Sequence, residues 1–275
     1  MGPDADHGTH VSGIIAAQRD NNIGIDGIAD NVQIMMIRAV PDGDEYDKDV
    51  ALAIKYAVDN GAKVVNMSFG KSFSPEKKWV DEAVKYAEDH DVLLVHAAGN
   101  ESNNIDSASN FPNPNFLYIK DEPKNFITVG AYGDPNVNDG KFIAYFSNYG
   151  KNSVDVFAPG VKIYSTVPHS YTYHDGTSMA SPVVAGIAGL IRSYYPQLSA
   201  EQVKYAIVNS GSHFTNEVNK PVKDDNTTLI PVPFNDLSIN LGFANAAGAA
   251  QLAATLKPEP KKNNVKNLQN NLEKN

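Results

Sequence analysis

Three short stretches of this chain carry side chains able to do chemistry. Gly176-Thr177-Ser178-Met179-Ala180-Ser181-Pro182 is a small-residue turn that runs straight into the apolar stretch Val183 to Tyr195. There Val184, Ile187, Ala188, Leu190, Ile191 and Tyr194 recur at helical spacing, with Gly186 and Gly189 thinning one face, which predicts a buried helix. The first N–H groups of a helix lack intrahelical partners, and its dipole is positive at that end. Donors of this kind stabilise an oxyanion at an attacked carbonyl, so Ser178 is a candidate nucleophile. A serine before a helix more often only caps it.

His7-Gly8-Thr9-His10-Val11-Ser12-Gly13 offers two imidazoles at the start of a second helix. Two histidines are too few for a metal site, and no carboxylate lies one turn further on. A general base is the better chemical reading, with capping or core packing as the plain alternative for either ring. Asn100 follows Ala97-Ala98-Gly99 and a buried-looking strand, which puts a side-chain amide at the carboxyl end of a parallel sheet, where ligands tend to bind. Standing alone it would be a turn asparagine.

The elements that must position these residues follow an alternating pattern. A helix is predicted from His7 to about Gln18, with Asp6 as N-cap and Val11, Ile14 and Ile15 on one face. The oxygen-rich loop Asp20 to Gly27 leads to Ile34 to Val40, apolar except for Arg38 and read as a buried strand. Helices are predicted over Asp47 to Asn60 and Pro75 to His90, strands over Lys63 to Met67 and Val92 to His96. Further strand-like pieces are Phe126 to Tyr132, Ile143 to Phe146, Val154 to Phe157 and Val161 to Ser165. A helix over Ser199 to Ser210 has Ser199 as N-cap and Gln202 in the capping-box position. Residues 211–240 read as loop, and a last helix runs from Ala244 to Leu256. Such alternation, with strands apolar on both faces, predicts an α/β fold in three layers, a mostly parallel sheet with helices on both faces.

Composition narrows the function classes. A chain of 275 residues with 42% hydrophobic residues can build an extensive core. A formal net charge of -9, with no basic cluster ahead of the tail, argues against a nucleic-acid partner. Without cysteine there is neither a disulfide framework nor a thiolate metal site. No apolar run reaches membrane-spanning length, and Met1-Gly2-Pro3-Asp4 has none of the features of a signal peptide. The segment from Lys257 to Asn275, rich in Lys, Asn, Glu and Pro, reads as a polar, disordered or linker-like tail, leaving residues 1–256 as one domain.

In the order His7, Asn100, Ser178 these stretches resemble the subtilisin-like serine proteases, the subtilases (peptidase family S8). Supporting pieces are Val64-Val65-Asn66-Met67-Ser68-Phe69-Gly70, Asp155-Val156-Phe157-Ala158-Pro159-Gly160 and Gly242-Phe243-Ala244-Asn245-Ala246. The resemblance covers residues 4–254 and implies a serine endopeptidase acting on peptide or protein substrates. Ser178 matches the family nucleophile, His7 its general base and acid, and Asn100 the side-chain donor of the oxyanion hole, with the Ser178 N–H as second donor. His10 matches a supporting position. Ser68-Phe69-Gly70 matches the segment that pairs with extended substrate, and Ala97-Ala98-Gly99 the opposite wall of the pocket for the residue before the scissile bond. Asn21 and its loop resemble part of a structural calcium site. Asp42-Gly43-Asp44-Glu45 is expected near the cleft, favouring basic or neutral substrate residues.

One departure stands out. Subtilases carry the catalytic aspartate in an Asp-Ser/Thr-Gly motif on a strand before the histidine, and that strand lies between those matching Ile34 to Val40 and Lys63 to Met67. Only Asp4 and Asp6 precede His7 here, and Asp6, its sequence neighbour, is expected to cap the helix. The expectation is therefore a protease domain whose first strands, aspartate, propeptide and signal peptide lie upstream, in a secreted or periplasmic parent, the upstream segment being needed for order and activity. The competing expectation is a peptide-binding scaffold without turnover, or a fragment that does not fold alone.

Overall fold

The computed structural model describes residues 5–40, 43–240 and 242–259. Asp4, Asp42 and residues 260–275 of the predicted tail, named above, lie outside the described residues. In chain order the elements are α1 (Asp6–Ala16), α2 (Asp47–Asp59), β1 (Val64–Met67), α3 (Lys77–Asp89), β2 (Leu93–Ala97), β3 (Phe126–Tyr132), β4 (Val156–Pro159), β5 (Ile163–Val167) and β6 (Ser170–His174). They continue with α4 (Thr177–Tyr194), α5 (Ala200–Asn209), β7 (Ser212–His213), β8 (Glu217–Val222), β9 (Asp225–Pro233), β10 (Gly242–Phe243) and α6 (Ala246–Thr255).

Strand periodicity sorts the core into two layers around one sheet. The order is β1-β2-β3-β4-β10-β7, parallel except where β7 joins β10. Leu93, Val95, Ile127 and Val129 face α4, α5 and α6, while Leu94, Phe126 and Met67 face α2 and α3. Alternate residues of a strand point to opposite faces, so runs such as Leu93–Ala97 are apolar throughout because both faces are covered. This is the predicted three-layer α/β arrangement. The capping box of α5 forms as expected: Ser199 Oγ accepts from the Gln202 N–H at 3.1 Å and Gln202 Oε1 from the Ser199 N–H at 3.1 Å.

Several expectations fail for identifiable reasons. The run Ile34 to Val40 forms no strand, and Ile34, Met35 and Met36 are 40%, 41% and 65% exposed. A strand exists through its neighbour's hydrogen bonds, and β1 has β2 on one side and no strand on the other among the described residues. Ile143 to Phe146 is reduced to a single bridge from Ile143 to Tyr132. Residues 211–240, read as loop, contain the antiparallel hairpin β8–β9. Prolines at 221, 231 and 233 hid it from a propensity reading, and Val218 and Phe234 anchor it on a satellite core with Phe157 and Phe243. Asp6 is not the cap of α1: Ala5 holds that position without a side-chain cap, and the Asp6 carboxylate bonds elsewhere.

Candidate active site

Ser178 is the second residue of α4, half-buried, behind the buried Thr177. Its first turn is tied to the end of β1. Ser68 Oγ donates to the Ser178 carbonyl at 2.8 Å, and Ser178 Oγ donates to the Ser68 carbonyl at 3.2 Å. Asn66 supports both sides, giving an N–H to Ser68 Oγ at 2.9 Å and accepting from Ser181 Oγ at 2.7 Å.

Asn100 follows β2 through Ala98 and Gly99, whose φ of +101° lets the chain turn sharply there. Its carbonyl oxygen is occupied, accepting from the Thr177 N–H at 2.8 Å and from Thr177 Oγ1 at 2.9 Å. Fixing the oxygen end aims the amide's NH2 away from Thr177. A Cβ added to Gly176 would stand 3.6 Å from Asn100 Nδ2 and 3.6 Å from the Ser178 backbone N. The Asn100 amide, with its Oδ1 3.8 Å from the same point, and the Ser178 backbone N are thus neighbours at the start of α4. Fixed donors around a point where negative charge develops are the arrangement that acyl transfer needs.

His7 is the second residue of α1, and α1 reaches α4 through a cluster of Val11, Ile14 and Met179, the residue after Ser178. The pKa of His7 is lowered, first by loss of hydration, then by His174, against a smaller upward effect of Asp6. A ring so placed is largely neutral at pH 7 and available as a base. His10, one turn on, is fully buried and has its pKa lowered by burial and then by His174. Its Nε2 lies 3.0 Å from the Ile163 carbonyl and 3.2 Å from that of Thr172. It braces α1 on the β5–β6 hairpin.

The predicted substrate-binding segments flank the serine. Ser68-Phe69-Gly70 continues β1, and the Phe69 carbonyl is held by His96 Nε2 at 2.8 Å from inside β2. Burial lowers the His96 pKa to about 4, so the ring is neutral and donates Nε2–H to that carbonyl. Ala97 and Ala98 form the facing side. Asn110, from the loop after Asn100, lies between the two, donating to the Ala97 and Ala98 carbonyls at 3.1 and 2.8 Å. A Cβ on Gly70 would approach Asn110 Oδ1 to 2.4 Å. Lys71 pairs with Asp47 at 2.7 Å and donates to the Glu45 carbonyl, which holds the Glu45 end of the acidic segment beside this wall.

Asn110, His96 and His174 are side chains that the sequence pattern does not single out. His174 Nε2 lies 2.6 Å from Asp6 Oδ1, across 168 residues. Nothing in the local pattern around any of the three marks it. Asn21 is exposed, and its Oδ1 accepts the Ile23 N–H at 2.8 Å. Among the described residues there is no group of three His, Cys, Asp or Glu side chains able to hold a metal ion.

Ser178 at the start of a buried helix, the Asn100 amide bonded to its neighbour Thr177 and the His7-bearing helix packed against α4 thus stand together on one α/β sheet. Residues 2–237 match the profile of the peptidase S8 subtilase family. The chain is 42% identical over 189 residues to the thermophilic serine proteinase of Bacillus sp. strain AK1, covering 68% of this chain and 42% of that protein. It is 39% identical over 206 residues to thermitase of Thermoactinomyces vulgaris, covering 74% of this chain and 66% of that one. With the cell wall-associated protease of Bacillus subtilis it shares 39% identity over 203 residues, 73% of this chain and 20% of the relative. A solved protease from Pseudoalteromonas arctica superposes with a TM-score of 0.68 at 26% identity, covering 90% of this chain and 70% of that one. The chain belongs to the subtilase family of serine proteases. It spans less than half the length of two of these relatives, and no helix among the described residues is long and apolar enough to cross a membrane.

Proposed function

We propose that this chain carries the working parts of a serine endopeptidase: Ser178 attacks the substrate carbonyl, His7 takes its proton and later protonates the leaving amine, and Asn100 with the Ser178 N–H holds the oxyanion. The observation that supports this reading is that the Asn100 side-chain amide and the Ser178 backbone N lie side by side at the start of α4, each 3.6 Å from where a Gly176 Cβ would stand. Extended substrate lies along Ser68-Phe69-Gly70, opposite Ala97-Ala98-Gly99, with main-chain hydrogen bonds giving affinity and little sequence selectivity. Asp44 and Glu45 favour basic or neutral substrate residues.

The unpaired edge of β1 and the exposed Ile34 to Met36 run support a partner strand at that edge, supplied from outside the described residues, bearing the carboxylate that orients His7. Any calcium at the Asn21 loop would need ligands from the same source. The likeness to a cell wall-associated protease supports an extracellular place of work.

The test is a serine-directed fluorophosphonate probe. Ser178 is expected to be labelled, and the label is expected to vanish in Ser178→Ala and fall sharply in His7→Ala. Labelling of another serine would overturn the assignment. A second reading, a peptide-binding scaffold without turnover, is favoured by one observation: the Ser178 hydroxyl donates to Ser68 and not to an imidazole. Saturable peptide binding without labelling would select it.

A further inference from the structure

The Asp6–His174 contact joins the two places that the proposed chemistry must hold in register. Asp6 immediately precedes His7 in the first turn of α1. His174 ends β6, four residues before Ser178, and is followed by the turn that starts α4. An ionised carboxylate only accepts, so the proton between Asp6 Oδ1 and His174 Nε2, 2.6 Å apart, belongs to the imidazole. The two side chains are about one-third exposed, 36% for Asp6 and 34% for His174, so solvent screens the pair only in part.

Its surroundings make it more than a chance surface contact. The His174 ring stands 4.4 Å, centroid to centroid, from that of the buried His10. On either side of the same interface Ser165 Oγ donates to the His10 carbonyl at 2.8 Å and Thr166 Oγ1 to the Thr9 carbonyl at 2.9 Å. The β5–β6 hairpin therefore holds the backbone of α1 around residues 9 and 10, and His174 holds the side chain at its first turn. The next acidic residue, Asp175, is turned away, accepting the Lys162 N–H.

We propose that Asp6 and His174 form a positioning pair for His7, fixing the first turn of α1 relative to Ser178. This rests on His7 being the general base. Among the described residues, the ionisable groups acting on the His7 ring are Asp6 from its own helix and His174 from β6, and they act in opposite directions. His10 is buried and neutral, and α4 brings no ionisable side chain before Arg192, in its last turn. A merely structural brace would not make removal of the two partners shift His7 oppositely.

The experiment follows the His7 imidazole by NMR titration in the full chain, so that it reads whether or not the chain turns over. His174→Gln is expected to raise the His7 midpoint, and Asp6→Asn to lower it. His174→Lys, which places a fixed cation at the same position, is expected to hold the His7 midpoint below that of His174→Gln. Unchanged midpoints, or shifts of the same sign, would overturn the proposal. Probe labelling of Ser178 in the same variants separates the two levels. If the opposite shifts appear while His7→Ala labels normally, the pair stands and the role of His7 as base fails. If the shifts are absent while His7→Ala abolishes labelling, the base stands and the pair fails.

Discussion

Acid should loosen this protein at His96. The ring is fully buried in β2, and loss of hydration outweighs the favourable Phe69 carbonyl in lowering its pKa from 6.5 to about 4. Between those values the unfolded chain binds the proton and the folded chain does not. Stability is therefore complete above about pH 6.5 and lost as pH falls towards 4. A tenfold change in proton affinity is worth about 1.4 kcal/mol, so the full loss is on the order of 3 kcal/mol. That is a large part of a typical domain stability of about 5–15 kcal/mol. His7 and His10 have lowered values too and add to the same trend, so the test is a difference. His96→Gln keeps an N–H for the Phe69 carbonyl and removes the titration. Urea unfolding of parent and variant from pH 7 to pH 4 should give curves that diverge in slope, the parent losing about 3 kcal/mol more. Parallel curves would refute the assignment of the depressed pKa to this ring.

Other outcomes follow from single contacts. Asn100→Ala should lower kcat about 10²–10³-fold with little change in KM, because its bond strengthens only as the oxyanion forms; a pure KM effect in chromogenic peptide hydrolysis would count against it. Ser199→Ala removes one half of the α5 capping box and should cost about 1 kcal/mol, read as a lower urea midpoint at unchanged m-value. Calcium should raise the melting temperature of this chain only slightly in differential scanning calorimetry, since the Asn21 amide oxygen already accepts the Ile23 N–H within its loop. A peptide containing an Asp-Ser/Thr-Gly strand, added in trans, should accelerate fluorophosphonate labelling of Ser178, and the same peptide with Asn for Asp should not.

Much of this protein is legible in the one-dimensional pattern. The run of apolar residues from Leu93 to Val95 has no polar alternate, which is possible only for a strand covered on both faces, and the layers follow from that. Ser199 and Gln202 spell their capping box three residues apart because that geometry is local. The elements that carry Ser178, His7 and Asn100 were legible as ends of regular structure, and it was the resemblance to the subtilases that set these three residues apart as a candidate site. Tertiary structure alone decided the rest. The Ile34 to Val40 run has a strand's composition, but a strand also needs a neighbour, and none pairs with it among the described residues. Asp6 has the chemistry of a cap, and an imidazole 168 residues away offered the carboxylate a charge-assisted partner that no local pattern records. His96 looks like an ordinary strand residue; only the layers closing over β2 make it a neutral ring held against the Phe69 carbonyl, because a charge cannot be hydrated there.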